Sequence, residues 1–362
     1  MKHWQETAEI LAQLTTEAGA GRRAAIATVV GIRGSAYRRP GAKLLVREHG
    51  GTIGGVSGGC LEADVRERAL IALREGTPRL VHYETGSDDR AVFGLGLGCN
   101  GSVDVFVQAA TTPAFLESAH RVQRSLGGEE PIAICTVLEG ASAGDVLVLT
   151  ADGAPPDPAT EGALARELAA GAGDLLRRGE TAVHQLASAR VFTEVLLPPP
   201  HLVVLGAGDD AVPLARYARD AGFRVTLVDH RPAFLSAARL AGEVRRLELR
   251  PEDEAAASLP LGRGSYAVVK THSLANDREW IRRLLGTEVG YIGVLGPRAR
   301  VEEILRQLGA AADDRIFGPV GLDLGAEGPE QVAMSIVAEL LAVQASRAPG
   351  HLRGKRGSIH GA

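Results

Sequence analysis

The sequence is poor in cysteine and aromatics, carries no strong excess of either charge and has no long apolar run, and most of these shortages remove a class of function. Only three cysteines occur in 362 residues, Cys60, Cys99 and Cys135. So small and odd a number cannot build a disulfide framework, and no Cys-x-x-Cys or paired-histidine spacing offers a zinc site. The formal charge of -4 provides no broad basic surface for gripping phosphodiester backbones, although a local cluster could still hold one small anion. Nucleic acid is therefore not an expected partner. No stretch approaches the roughly 20 apolar residues that span a bilayer, and Glu6 and Glu9 stand where a secretory signal would be apolar, so a cytoplasmic protein without membrane contact is expected.

What is present points to a folded chain with several cores. Hydrophobic residues make up 45%, and 45 glycines against 4% aromatics describe a protein rich in tight turns. A chain of this length divides into domains of roughly 100 to 200 residues each. An amphipathic helix carrying Trp4, Ile10, Leu11 and Leu14 is followed by strands at 24–30 and 43–47, a glycine loop from Gly50 to Gly59, a helix over 61–74, and strands at 81–84 and 103–108. The segment AICTVLEGASAGDVLVLTADG at 133–153 parallels AIATVVGIRGSAYRRPGAKLLVREHGG at 25–51, and LLRRGE before TAVHQL parallels ALREG before RLVHYE. Residues 24–110 and 132–197 thus read as two copies of one α/β unit, the second lacking the glycine loops. Three consecutive prolines, Pro198 to Pro200, end this region, since residues without backbone donors cannot sit inside a sheet. Beyond them strands and helices alternate, the mark of a doubly wound parallel sheet. The expected division is 1–110, 111–197 and 198–346, with a disordered tail over 347–362.

The third region opens on a dinucleotide-type fingerprint. The apolar strand HLVVLG runs into Gly206-Ala207-Gly208-Asp209-Asp210-Ala211 and then a helix. Gly206 would make the tight turn, Gly208 would let backbone approach a pyrophosphate, and the helix N-terminus would receive the phosphate. About twenty residues later Asp229 ends the second strand, where a carboxylate takes ribose hydroxyls. Asp209 and Asp210 would face that phosphate and repel it. The loops at the same sheet edge carry His272, Arg298 and Asp323, of which His272 and Arg298 could contact an anion or shuttle a proton.

Two glycine loops in the first region carry thiols. Gly54-Gly55-Val56-Ser57-Gly58-Gly59-Cys60 leads into a helix, so its backbone donors could cluster around an anion and Cys60 would sit at a positive helix end, where thiolate is favoured. Gly94 to Gly101 carries Gly98 and Cys99. Two thiols near one anion site suit sulfur transfer, molybdenum coordination or a reversible disulfide. Arg38 and Arg39 are adjacent guanidinium groups able to fork around phosphate oxygens. Cys135, in an apolar strand, reads as a small buried hydrophobe.

The stretches GSAYRRPGAKLLV, GGVSGGCLEADV and GLGLGCNGSVDVFV resemble the N-terminal motifs of XdhC/CoxI proteins, and VVLGAGDDAVPLARYA, VTLVDHRP, KTHSLANDREWI, YIGVLGPRAR and PVGLDLGAEGPEQVAMSIVAELLA are similar to that family's Rossmann domain. The resemblance covers nearly the full chain. It implies an XdhC/CoxI-type N-terminal α/β region followed by a Rossmann-like sheet, in a homodimeric xanthine dehydrogenase accessory factor. Such a factor binds molybdenum cofactor (molybdopterin), assists its sulfuration with a cysteine desulfurase as sulfur source, and inserts it into a xanthine-dehydrogenase-type molybdoenzyme. On this reading Cys60 and Cys99 handle sulfur or contact molybdenum, beside Arg38, Arg39, Gly55, Ser57, Gly58, Gly59 and Gly98. Gly206, Gly208, Asp209, Asp229, His272, Arg298 and Asp323 form a site for NAD(P) or another nucleotide. Many relatives carry histidine where this chain has Asp209. An NAD(P)-dependent oxidoreductase and a nucleotide-sensing regulator are the competing readings.

Overall fold

The computed structural model describes residues 2–34, 37–84, 101–150, 163–187, 189–239, 244–310 and 312–355. They form two units, Met1–Pro198 and Pro199–Ala362.

The first unit holds two antiparallel sheets. Helix α1 (Lys2–Gly19) precedes β1 (Ala24–Gly34), β2 (Lys43–Arg47), β3 (Thr52–Gly54), α2 (Glu62–Glu75), β4 (Arg79–Glu84) and β5 (Gly101–Ala109). Helix α3 (Pro113–Leu126) then leads to β6 (Ile132–Val137), β7 (Val146–Leu149), α4 (Ala163–Arg178), β8 (Ala182–Gln185) and β9 (Arg190–Leu196). The first sheet has the order β3-β2-β1-β5-β4 and the second β7-β6-β9-β8. Apart from the short edge strand β3, the two sheets share one wiring, with every pair antiparallel and the helix placed between second and third strands of each copy.

Alternation decides which face each strand buries. Ala25, Ala27, Val29, Val103, Val105 and Val107 pack with Val65, Ala69 and Leu73 of α2, whereas Val30 and Phe106 on the opposite face meet Leu138 and Phe192 of the second copy. A buried ion pair also joins the copies. Lys43 Nζ lies 2.6 Å from both Glu194 carboxylate oxygens and donates to Gly41 O at 2.9 Å. Removing one partner of so enclosed a pair would strand the other charge.

The second unit is a six-stranded parallel sheet. It comprises β10 (His201–Leu205), α5 (Ala211–Asp220), β11 (Arg224–Asp229), β12 (Arg245–Glu248), β13 (Ser265–Val269), α6 (Leu274–Leu285), β14 (Tyr291–Val294), α7 (Arg298–Leu308), β15 (Ile316–Phe317) and α8 (Gly328–Gln344). The order β12-β11-β10-β13-β14-β15 is the doubly wound order 3-2-1-4-5-6, whose ligand crevice opens where β10 and β13 diverge. Strands β12 and β15 escape a sequence reading because one is the charged RRLE and the other only two residues long. Strand β13 ends at Val269, which leaves Lys270 and Thr271 in the crevice loop. No described helix is long and apolar enough to cross a membrane.

Candidate functional site

The thiol loop begins at Gly54, where φ is +86° and an added Cβ would stand 2.4 Å from Lys43 O, so no side chain fits. Val56 and Leu61 are buried and pin the loop to the core of the first sheet. Between them Ser57 organises the turn, its Oγ accepting from the backbone N–H groups of Gly59 and Leu61 at 3.1 Å each. Glu62, the first residue of α2, folds back over the loop. Its Oε1 accepts from Ser57 N at 2.8 Å and Val56 N at 3.2 Å, and its Oε2 accepts the Ser57 hydroxyl. Burial would raise the Glu62 carboxyl, but the hydrogen bonds from Ser57 and Val56 more than offset it and hold it below the ordinary glutamate value.

Cys60 is half-buried beside this arrangement, and its thiol donates to Ser57 Oγ at 3.4 Å. A continuous path therefore runs from sulfur through a hydroxyl to a carboxylate. Two sequence expectations change here. Helix α2 starts at Glu62 with Leu61 as N-cap, so Cys60 precedes the first turn, which itself carries Glu62 and Asp64. Of the backbone donors expected to receive an outside anion, Val56 N and Ser57 N are engaged by the chain's own Glu62 carboxylate, and Gly59 N and Leu61 N by Ser57 Oγ.

A cleft of about 460 Å³ borders the loop, walled by Glu6, Glu9, Tyr37, Arg38, Gly55, Ser57, Gly59 and Glu62. Gly58 lies against the Tyr37 ring, where an added Cβ would stand 3.5 Å from Cγ. Arg38 pairs with Glu6 at 2.6 Å, while Arg39 is exposed, so the two guanidinium groups do not act as one fork. Three carboxylates against one paired arginine give this cleft a negative excess that disfavours a phosphate, and among the described residues no group of three or more His, Cys, Asp or Glu side chains could hold a metal ion. Cys99 and Gly98 lie outside the described residues. Cys135 is fully buried on β6, where burial pushes its thiol up to about 11.

In the second unit Gly206 turns with φ +112°, and a Cβ there would stand 2.4 Å from Lys270 O. That contact closes the fingerprint loop against the end of β13. Asp229 is buried at the end of β11, yet its carboxylate is not open to a ribose. It accepts Ala207 N at 2.8 Å, Arg231 N and Nε at 2.9 Å each, and Arg231 Nη2 at 2.8 Å. Those four bonds use the acceptor positions of a carboxylate. Burial would raise it, and the Arg231 and Ala207 bonds bring it down to about 2. Arg231 and Arg239 both stack on Phe234, 4.0 and 4.6 Å from its ring centre. Arg239 also pairs with the exposed Asp209.

Asp210 does not stand as a bare charge against phosphate, as its place in the fingerprint suggests; it is neutralised from below. Lys270, 2% exposed, places Nζ 2.5 Å from Asp210 Oδ1, and His272 Nε2 lies 3.1 Å from Oδ2. Burial lowers the Lys270 ammonium, with Asp210 opposing. Burial would raise the Asp210 carboxyl, and Lys270 and then His272 hold it below the ordinary aspartate value. His272 has φ +60°, unusual for a residue with a side chain, and the residues around it fix that shape. The buried Asp277 accepts Thr271 N at 3.0 Å and Thr271 Oγ1 at 2.6 Å while pairing with Arg300 at 2.5 Å. The structure thus brings Gly206, Gly208, Asp229 and His272 to one end of the sheet. Arg298 stays on the surface, 3.9 Å from Glu302, and Asp323 is exposed on the loop after β15. Lys270 is the residue that sequence reasoning passes over, although an ionisable side chain directly after SYAVV is a visible signal.

Comparison with known proteins gives a consistent set of likenesses. Residues 18–84 match the model of the XdhC and CoxI family, and residues 202–340 match the XdhC Rossmann domain. The chain is 32% identical over 323 residues to a probable xanthine dehydrogenase subunit of Bacillus subtilis (strain 168), covering 88% of this chain and 92% of that one. It is 41% identical over 83 residues to the molybdenum cofactor insertion chaperone PaoD of Escherichia coli (strain K12), covering 23% of this chain and 25% of that one. The crystal structure of a xanthine dehydrogenase from Bacillus halodurans superposes with a TM-score of 0.76 at 26% identity, over 94% of this chain and 96% of the other.

Proposed function

The chain belongs to the XdhC and CoxI family, and from that premise we propose that it binds molybdenum cofactor and assists its sulfuration and insertion into a xanthine-dehydrogenase-type molybdoenzyme. The observation that carries this reading is the half-buried Cys60 thiol, held on a glycine loop and linked through Ser57 Oγ to the Glu62 carboxylate. A thiol that meets a soft metal or takes up sulfur must release its proton. Ser57 gives that proton a path toward Glu62, which stands in the charged form and, with its lowered carboxyl, is a weak base that holds the Ser57 hydroxyl in line with the thiol. The cleft beside the loop, lined by Ser57 and Glu62 though not by Cys60, leaves the cargo room to approach, while Gly55 and Gly59 keep side chains out of its way.

In this reading the cofactor's phosphate is met by the exposed Arg39 on the neighbouring turn, and Cys99 supplies the second thiol. The protein works as a homodimer in the cytoplasm, with a cysteine desulfurase as the source of sulfur. The fingerprint loop of the second unit is the place for NAD(P) or another nucleotide, whose phosphate would have to draw Lys270 away from Asp210.

The test is purification from a cofactor-producing host, followed by molybdenum and pterin analysis of wild type beside Cys60→Ala and Cys99→Ala. Wild type should carry both, and Cys60→Ala should lose most of them. Equal retention in all three proteins would remove both thiols from the proposed role.

A further inference from the structure

Through its middle, helix α8 turns its polar side chains inward and leaves apolar ones outside, the reverse of an ordinary surface helix. Between Val332 and Val343 its only polar residues are Ser335 and Glu339, and both are buried. Ser335 Oγ donates to Leu322 O at 2.5 Å, and Glu339 Oε1 accepts the Tyr291 hydroxyl at 2.5 Å and Gly321 N at 3.0 Å. On the opposite side Met334 and Leu341 are 57% and 38% exposed, Ala345 is exposed, and Ala338 and Ala342 are half-buried. No polar side chain interrupts this stripe over about three turns of helix.

An exposed apolar stripe on a helix marks an interaction surface. Met334, Ala338, Leu341 and Ala345 follow one another at intervals of four, three and four, the spacing of a seam between two packed helices. Large and small side chains alternate along it. When two copies of α8 cross antiparallel about a two-fold axis beside Glu339 and Leu340, Met334 falls opposite the partner's Ala345 and Leu341 opposite the partner's Ala338. Each large side chain then meets a small one. A parallel pairing in register would instead set like on like, crowding the methionines and leucines and leaving the alanines to face each other across a gap.

The charges at the two ends of the helix agree with the antiparallel order. Glu327 and Glu330 are exposed at its start. At its other end a groove is lined by Leu322, Leu341, Arg347, Leu352 and Lys355 among others, and none of the lining residues is acidic. Desolvation, and then the neighbouring Arg347, lower the Lys355 ammonium, so two cations share this end. An antiparallel crossing brings each acidic end to the partner's basic end, whereas a parallel one sets like charges together. We propose that the outer face of α8 is a dimer interface, occupied by α8 of a second copy of this chain crossed antiparallel about a two-fold axis. It rests on the homodimer of the proposed function, for which it assigns the surface, and is independent of the thiol chemistry.

Sedimentation equilibrium of the full chain at micromolar concentration is the test, and wild type should show twice the mass of one chain. Met334→Lys and Leu341→Lys, each with an unchanged circular dichroism spectrum, should raise the dimer Kd by about tenfold or more. Glu330→Arg should raise it by a few-fold at low salt, and adding Arg347→Glu should bring it back. Those two positions lie about 25 Å apart along one helix, too far to pair within a protomer, so recovery reports a contact between copies. A dimer left intact by both lysine variants would overturn the interface and leave the homodimer standing, and a double variant no tighter than Glu330→Arg would overturn the antiparallel order. A wild type that stays monomeric, its stripe open to a different partner, would overturn the interface and the homodimer together.

Discussion

The two glycine loops of this protein answer the same electrostatic problem in opposite ways. Each presents backbone N–H groups that could receive an anion, and each has one of the chain's own carboxylates on those donors. At the thiol loop a single residue, Glu62, satisfies Val56 N, Ser57 N and the Ser57 hydroxyl with no cation beside it. At the fingerprint loop Asp229 takes Ala207 N and pairs with Arg231, while Asp210 beside it touches no backbone donor and pairs with Lys270. The first loop thus links a carboxylate, through one hydroxyl, to a neighbouring sulfur atom. The second is a charge-balanced lock, each carboxylate held by its own cation.

The sharpest way to break this comparison is steric. Gly206→Ala puts a Cβ against Lys270 O at a positive φ, while Gly59→Ala has the same φ problem, +110°, with nothing within 4 Å. Chemical denaturation should show a loss of about 3 kcal/mol or more for Gly206→Ala and about 1 kcal/mol for Gly59→Ala. Equal losses would mean that the fingerprint loop is not closed against β13.

A somewhat smaller effect is expected at Asp229. Its carboxyl sits at about 2 in the folded protein against an ordinary 3.8, so it stabilises the fold fully above about pH 4 and ceases to do so as pH falls through 2. Asp229→Asn should cost on the order of 1–2 kcal/mol at pH 7, and the difference from wild type should shrink on acidification. A difference that stays constant down to pH 2 would contradict the four-bond geometry.

Glu62 obeys the same sign with a weaker effect. Its folded value is depressed, so its contribution is present above the ordinary glutamate range and fades as pH drops below it. Glu62→Gln should cost about 1 kcal/mol in denaturation at neutral pH, because the amide keeps one acceptor and loses the charge. The smallest change concerns nucleotide binding. Asp210→Asn should tighten binding of a nucleoside diphosphate by a few-fold at low salt by freeing Lys270, an effect read by titration and erased by high salt. Weaker binding in that variant would show that Asp210 helps the phosphate instead of competing with it.

Much of this architecture is legible in the sequence. Apolar runs such as HLVVL and RVTLVD mark parallel strands, and GAGDDA between strand and helix marks the fingerprint. The duplicated plan is visible in paired stretches such as RLVHYE and TAVHQL, because burial on one face imposes the same alternation on both. The contents of the sites are harder to see. That Glu62 turns back onto its own loop, or that Asp229 closes on Arg231 two residues later, depends on side-chain direction, which spacing does not encode.

The proposed function rests on Cys60 being the thiol that meets the cargo, with Cys135, fully buried, as an internal standard in the same molecule. Alkylation with iodoacetamide, followed by peptide mass spectrometry, measures both at once in cofactor-loaded and cofactor-free protein. Cys60 should be modified at least about tenfold faster than Cys135 in the free protein and should slow markedly when cofactor is bound. A Cys60 rate that is the same with and without cofactor would contradict that role.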